Sequence, residues 1–422
     1  MSVPRAGART GTGARVEVDA DAIRHNAAVF VARTGVAVMA VVKADGYGVG
    51  ARTAARAAVE GGATWIGVTT VDHAVRLRRA GIAVPALSWL DASPVDFAVA
   101  AEHRVDVAVG TFAELRNAIT ADGSPRIHLQ LDTGLAREGF APEDWELLAA
   151  RAARAERRGR IRVVGAMTHL SSADRPTDPA NAAQRAAFAH GLAVLAAAGL
   201  DPEERHAAGS AAALLDPASH GTLVRVGAGL VGIDATGGEA GLRGALTLRA
   251  PLVGVRRVAA GTPVGYGGTW TAARDTTLGL LPVGYADGLP RAASARASVG
   301  IGNRRVPVAG VLSMNQTVVD LGPDARDAAG DEAVVIGAGS DGAPTAGDWA
   351  AWAGTIPHEV LTSVGSAAAS RDPLPAPAPP PRPGAPSTRA PTEPAPRTDP
   401  ACTAPPAAPD APTHPARTEI PA

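Results

Sequence analysis

The chain has one cysteine in 422 residues, Cys402. That excludes internal disulfides, cysteine-ligated zinc and thiol catalysis in the folded part, and it fits a reducing compartment. No apolar run reaches the roughly 18 residues of a membrane-spanning helix. The opening MSVPRAGARTGTGAR has no apolar centre, so no secretory signal is expected and cytoplasmic residence is. Neither sign of charge dominates, with 40 Lys and Arg against 41 Asp and Glu. That balance suggests neither nucleic acid nor a membrane surface as partner. The last 52 residues, 371–422, nearly lack large apolar side chains and hold 18 of the 35 prolines. Such a segment cannot bury enough surface to offset its ordering entropy, so a disordered Pro-rich tail is expected over 367–422.

What is present is a regular alternation. Apolar runs that read as buried strands lie at Val36–Val42, Thr64–Val68, Val84–Leu90, Val105–Val109, Arg126–Leu131, Ile161–Met167, Glu204–Ala208 and Leu223–Val226. Between them lie Ala-rich segments with helical spacing, such as Ala51–Gly61, Asp72–Ala80, Phe112–Ile119 and Gln184–Ala198. Eight strand–helix units in roughly 200–250 residues fit an N-terminal (β/α)8 TIM barrel, assigned to 15–240 after a flexible 1–14. An open doubly wound sheet is the competing architecture. However, no Gly-x-Gly-x-x-Gly follows the first strand, so the dinucleotide signal is missing. From Gly244 short Val, Leu and Thr runs alternate with Gly, Pro and Asp turns, which predicts a C-terminal all-β domain over 241–366. Ala346–Ala353 reads as one short helix inside it.

Barrel chemistry sits at the C-terminal ends of the strands. Lys43 ends the first strand in VVKADGYGVG, where a partly buried lysine suits carbonyl chemistry. Tyr47 follows it. Asp132 and Arg137 follow strand five, His169 strand six and Ser210 strand seven; Arg225 ends strand eight, before Gly227. Each also has a plain reading. Lys43 caps a strand, Asp132 forms a turn, His169 is an interior histidine, Ser210 caps a helix, and Arg225 pairs with a carboxylate. Their convergence on one face favours a site. Loops after strands seven and eight commonly hold phosphate in this fold. Ser210 opens a helix and Gly227 permits close backbone approach. A phosphate pocket beside a lysine suited to Schiff-base chemistry points to pyridoxal phosphate.

Eight motifs in order resemble the bacterial alanine racemase family, of fold type III pyridoxal phosphate enzymes: VVKADGYG, LDTGLAREG, THLS, HAAGSAA, VRVGAGLVG, YGGTW, LPVGYADGLPR and SMNQ. The resemblance runs from about Arg15 to Ser363. It implies racemisation of L- and D-alanine, supplying D-alanine for peptidoglycan. It also implies a head-to-tail homodimer and two bases on opposite faces of the substrate Cα. Lys43 would bind the cofactor and be one base, and Tyr266 of the partner subunit the other. Tyr47, Ser210, Gly227, Ala228 and His358 would surround the phosphate, Arg225 would face the pyridine nitrogen, and His169 would lie near the ring. Arg137 and Met314 would contact substrate, and Tyr285 would line the entry. The resemblance implies no metal.

The chain departs from the family pattern at several places. Gln130 replaces a lysine that positions the arginine of its loop, and His358 replaces a phosphate-binding tyrosine. Asn315 replaces an aspartate, Val226, Ala228 and Val231 loosen one wall, and a closing strand is absent. Alternatives are a paralogue that binds the cofactor without efficient turnover, a racemase for another small amino acid such as serine, and a decarboxylase of the same fold.

Overall fold

A computed structural model describes residues 8–9, 13–91, 94–339 and 342–369. Residues beyond 369, with Cys402 and nearly all of the Pro-rich tail, lie outside the described residues.

The expected barrel is present. Eight parallel strands pair in the order β9-β2-β3-β4-β5-β6-β7-β8. They are β2 (Ala37–Val41), β3 (Trp65–Val68), β4 (Ala86–Ser88), β5 (Val105–Val109), β6 (Arg126–Gln130), β7 (Arg162–Met167), β8 (Glu204–His206) and β9 (Leu223–Val226). The ring closes between β8 and β9 through Thr222 N–H to Arg205 O and Arg225 N–H to Ala208 O, both 2.9 Å. Helices separate the strands: α1 (Ala20–Thr34), α2 (Ala51–Glu60), α3 (Val71–Arg79), α4 (Phe97–Glu102), α5 (Phe112–Thr120), α6 (Trp145–Arg157), α7 (Pro179–Ala197) and α8 (Ser210–Leu215). Several of their starts carry side-chain caps. Asp19 accepts from Asp21 and Ala22 N–H, and Thr111 and Glu114 form a reciprocal box.

Alternation along the strands sends side chains to two separate apolar clusters. Val38, Ala40, Ile66 and Val224 pack with the helices, while Met39, Val41, Trp65, Leu87, Trp89, Met167 and Leu223 form a small inner cluster. Glycine makes room for the inner side chains. A Cβ on Gly67 would lie 2.6 Å from the Trp89 ring. Polar residues share this interior: Asp106, His128, His206 and Arg225 are all buried.

Three segments fall across the boundaries drawn on sequence. Residues 15–18, grouped with the barrel on sequence, form β1 (Arg15–Val18), which pairs antiparallel with β10 (Leu246–Pro251) of the C-terminal domain. Ala8–Arg9, in the segment expected to be flexible, pair in turn with β1. The alternation of RVEV is the same for either sheet, and only long-range pairing chooses. Residues 367–369, assigned to the tail, complete the helix Pro357–Ala369.

The C-terminal domain continues with β11 (Gly254–Val258), β12 (Thr276–Leu281), β13 (Ser298–Ile301), β14 (Arg304–Pro307), β15 (Thr317–Gly322) and β16 (Glu332–Ile336). One antiparallel sheet runs β1-β10-β16-β13-β14 and another β11-β12-β15. The predicted helix appears as α9 (Ala346–Ala353), and Pro357–Ala369 is α10. α10 buries Val360, Leu361, Val364 and Gly365. Gly48 and Gly365 approach so closely that a Cβ on either would strike the other backbone. Gly288, at φ 91°, would meet Ser363 and Val364 in the same way. α10 is thereby wedged between the turn after β2 and the loop holding Tyr285.

Candidate active site

Lys43 directly follows β2, where the chain enters an unusual turn. Ala44, Asp45, Gly46, Tyr47 and Gly48 all have left-handed φ, from 50° to 90°. Three of them are not glycine, at a cost of roughly 1–2 kcal/mol each. The surroundings hold the turn in place. Asp45 Oδ1 accepts from Ala51 N–H at 2.7 Å, Gly46 N–H donates to Val42 O at 3.0 Å, and α10 presses on Gly48. Strain of this kind collects at functional sites. Burial lowers the pKa of Lys43, the positive charges of Arg137 and Arg225 lower it further, and Glu138 opposes them. More of the amine is therefore neutral than in an exposed lysine.

Arg225 leaves β9 into a cage of acceptors. Nη1 donates to His206 O at 2.8 Å and meets His206 Nδ1 at 2.9 Å. Nη2 donates to Thr168 O at 2.6 Å and Ala207 O at 3.0 Å, and meets His169 Nδ1 at 3.1 Å. Where the plain reading gave Arg225 a carboxylate, backbone carbonyls and imidazoles surround it. Burial, then Arg137, push the Arg225 pKa down to about 10, still well above neutrality, so the guanidinium stays charged. Among the described residues no acceptor takes its Nε–H.

Beside it, Ser210 begins α8. Its hydroxyl oxygen accepts from Gly227 and Gly229 N–H, both at 3.1 Å, which leaves the hydroxyl proton to donate elsewhere. A Cβ on Gly227 would strike the Tyr47 hydroxyl. Burial lifts Tyr47 to about 12, so its hydroxyl remains a donor at neutral pH. The Tyr47 ring faces the His358 ring of α10 at 6.1 Å. His358 Nδ1 is buried without a hydrogen-bond partner. Burial, then Lys43, lower the His358 pKa, so the ring is neutral there. An unpaired buried nitrogen beside a tyrosine hydroxyl, a serine hydroxyl and a glycine cradle fits a phosphate-bearing cofactor held near Lys43.

Asp132 is a turn former: Oδ1 accepts from Gly134 N–H at 2.9 Å and Leu135 N–H at 3.0 Å. Gln130, which stands where the resemblance has a lysine positioning the loop arginine, donates its amide to Glu138 at 3.4 Å, and Arg137 is exposed. Arg137 still acts on Lys43, His169 and Arg225 through its charge.

Tyr266, Tyr285 and Met314 lie in the C-terminal domain, and Tyr266 and Met314 are 73% and 56% exposed. Tyr285 N–H donates to Ser313 O at 3.1 Å and Ala286 N–H to Met314 O at 2.9 Å, so these two loops are one unit. The Tyr266 hydroxyl has no partner among the described residues. One chain thus assembles Lys43, Tyr47, His169, Ser210, Arg225, Gly227 and His358, and Ala228 opens the next turn. It does not bring Tyr266 to them.

Sequence reasoning missed His206, which grips Arg225, and behind it His128 and Asp106. The signal was there: each is a polar residue inside a strand read as buried.

Acid stability reports on this cluster. Burial, then the charges of Arg225, Arg137 and Lys43, push His169 down to about 3, and burial and Arg225 hold His206 well below its ordinary value. Unfolding returns both toward about 6.5. Below that pH the unfolded chain binds more protons, so stability present above it is lost as pH falls, at up to about 1.4 kcal/mol per pH unit for each histidine. Urea unfolding between pH 8 and 5 is expected to show that decline. His169→Gln keeps an acceptor for Arg225 and should shallow the slope by about one proton. An unchanged slope would remove His169 from the account.

Residues 18–235 match the family model described as alanine racemase, N-terminal domain, and 245–371 match alanine racemase, C-terminal domain. An alanine racemase of Thermobifida fusca is 44% identical over 359 residues, covering 83% of this chain and 96% of the relative. One of Salinispora arenicola is 44% identical, covering 84% and 96%. The solved alanine racemase of Streptomyces coelicolor superposes with a TM-score of 0.80 at 42% identity, covering 85% of this chain and 97% of its own.

Proposed function

The chain belongs to the alanine racemase family, and from that premise we propose that it interconverts L- and D-alanine with pyridoxal 5'-phosphate. The proposal extends to a cytoplasmic head-to-tail homodimer that supplies D-alanine for cell-wall synthesis. The observation that carries it is the cluster around Lys43. A charge-lowered amine, a caged guanidinium with one spare N–H, and a pocket of hydroxyl and glycine converge at the strand ends of one barrel.

Bound at Lys43, the cofactor supplies an electron sink that makes the substrate Cα–H acidic. The chain's own residues do the rest. Tyr47, Ser210 and His358 would donate to the phosphate, and the backbone at Gly227 and Ala228 would let it come close. Arg225 would offer Nε–H to the pyridine nitrogen without releasing its proton, because it remains charged. The Lys43 amine, its pKa lowered by burial and by Arg137 and Arg225, takes a proton on one face of the substrate and, once protonated, returns one there. Tyr266 of the partner subunit does so on the other. Its exposure on its own chain leaves it available for that role. Arg137 attracts the substrate carboxylate, with Met314 and Tyr285 at the entry.

One observation favours a slower enzyme, or a cofactor-binding paralogue. Gln130 engages Glu138 and leaves Arg137 unanchored. Incubation of the yellow holoprotein with L-alanine in deuterium oxide separates the readings. A racemase yields D-alanine carrying deuterium at Cα. A binding-only protein stays yellow and yields neither, and carbon dioxide release would mark a decarboxylase.

The phosphate pocket has its own test. A methyl group on Gly227 displaces the Tyr47 hydroxyl. Overpacking of this kind costs about 1–3 kcal/mol. Gly227→Ala is expected to weaken cofactor binding about ten- to a hundredfold in an absorbance titration of the unloaded protein. Unchanged affinity would place the phosphate elsewhere.

A further inference from the structure

Behind Arg225 a line of buried polar groups runs down the barrel interior, and no step above uses its far members. His206 Nε2 lies 2.8 Å from His128 Nδ1. His128 Nε2 lies 3.3 Å from Asp106 Oδ2. Asp106 in turn accepts from Arg126 Nε at 2.7 Å and Nη2 at 3.1 Å. His128, His206 and Asp106 are buried. The fold makes space for the line: a Cβ on Gly165 of the adjacent strand would strike the His128 ring, and Trp65 meets that ring edge-on at 5.8 Å.

Only one arrangement of protons satisfies every contact. Arg225 has no acceptor, so His206 Nδ1 must be bare. Then His206 carries its proton on Nε2 and donates it to His128 Nδ1. His128 therefore carries its own on Nε2 and donates to Asp106. The carboxylate ends the line because it only accepts, and Arg126 keeps it charged. Reversing the line would set an Nδ1–H of His206 against the Arg225 Nη1–H. Two donors would then face each other in a buried site.

We propose that Asp106 and His128 are positioning residues for racemisation: acting through His206, they keep the nitrogen that faces Arg225 unprotonated, and so hold the guanidinium with its Nε–H clear of protein acceptors. This rests on the racemase reading for its consequence, but not for its geometry. A carboxylate near the start of the strands thus orients a cation at their ends, through two imidazoles whose tautomers it selects. Outer partners that orient a functional group in this way commonly change affinity or activity about 10–100-fold when removed, a scale measured at metal sites.

The test compares two replacements of His128 in the full-length holoprotein. The amide of His128→Gln can accept from His206 and donate to Asp106, whereas His128→Leu fills similar space and can do neither. His128→Leu is expected to lower kcat about tenfold or more with little change in KM for alanine. It should also weaken pyridoxal phosphate binding to the unloaded protein about tenfold, and His128→Gln should recover most of both. A merely structural role predicts instead that activity and cofactor affinity fall only in step with melting temperature, because His128→Leu leaves His206 and Asp106 without their buried partner. Equal behaviour of the two variants, or losses that follow melting temperature, would overturn the proposal.

Long-range proton–nitrogen NMR of histidine-labelled protein reads the tautomers directly. Both His128 and His206 are expected as Nε2–H in the wild type, with His206 shifting toward Nδ1–H in Asp106→Asn. A wild-type His206 protonated on Nδ1 would also overturn the proposal. If His128→Leu does not fold, the Asp106→Asn spectrum and cofactor affinity decide. Should the wild type fail to racemise alanine, the racemase reading falls, while tautomers and cofactor affinity still judge this one.

Discussion

Co-expressing Lys43→Ala chains with Tyr266→Phe chains is expected to restore a racemisation that neither variant shows alone. Lys43→Ala removes the amine that holds the cofactor and moves the proton on one face. Tyr266→Phe removes the hydroxyl for the other. Each homodimer should lose about 10³-fold or more, within the range that positioned acid–base groups supply. In the mixed dimer the two arrangements diverge. If each barrel is completed by the other chain's tyrosine, one of its two sites pairs an intact Lys43 with an intact Tyr266. If each chain completes its own site, neither does. With two affinity tags the mixed dimer can be purified and assayed for D-alanine. Activity near half that of wild type per dimer supports the shared site. Silence, with both variants folded and the Tyr266→Phe chains cofactor-bound, would sink it. The geometry leads to this experiment, because Tyr266 is among the most exposed large side chains and has no hydroxyl partner among the described residues.

Arg225→Ala is expected to destabilise the chain by about 3 kcal/mol, through the acceptors it leaves unpaired, before any effect on turnover is considered. The guanidinium is 4% exposed and bridges β7, β8 and β9 at the seam where the barrel closes. Truncation removes the arginine donors from the carbonyls of Thr168 and Ala207 and from two imidazole nitrogens inside the protein, while His206 O keeps Thr168 N–H at 3.1 Å. Each buried acceptor left unsatisfied costs about 1–3 kcal/mol, partly relieved by relaxation. The three donors of Lys in Arg225→Lys meet only part of the cage, so a smaller loss is expected. Urea unfolding at pH 7.5 measures both. A loss below about 1 kcal/mol for Arg225→Ala would show that water or rearrangement replaces the cage. The barrel would then be held closed by the two backbone hydrogen bonds and by packing.

The eight barrel strands were legible because parallel strands are buried on both faces and read as unbroken apolar runs. Boundaries moved by a residue or two, as for Val36–Val42 against Ala37–Val41. The helix Pro357–Ala369 was not legible: its Ala, Ser and Gly residues give no strong period, and its place is set by glycine contacts with Gly48. At the site, Lys43 and Tyr47 could be read together because they share one turn. All three tyrosines of the chain drew attention, at 47, 266 and 285. What Arg225 binds could not be read, because its partners are mostly backbone carbonyls, which every residue carries and no sequence distinguishes. Asp132 takes backbone N–H groups of its own loop, as its turn reading has it, while Gln130 takes the Glu138 carboxylate.

Which segments become strands, which lysine is partly withdrawn from water, and which residue types crowd the strand ends follow from local spacing of apolar and small residues. Pairing β1 with the second domain, closing the ring on Arg225, and aligning Asp106, His128 and His206 in one polar file depend on contacts between distant parts of the chain. Periodicity reaches only a few residues along the backbone. Three-dimensional packing alone sets which buried donor meets which acceptor.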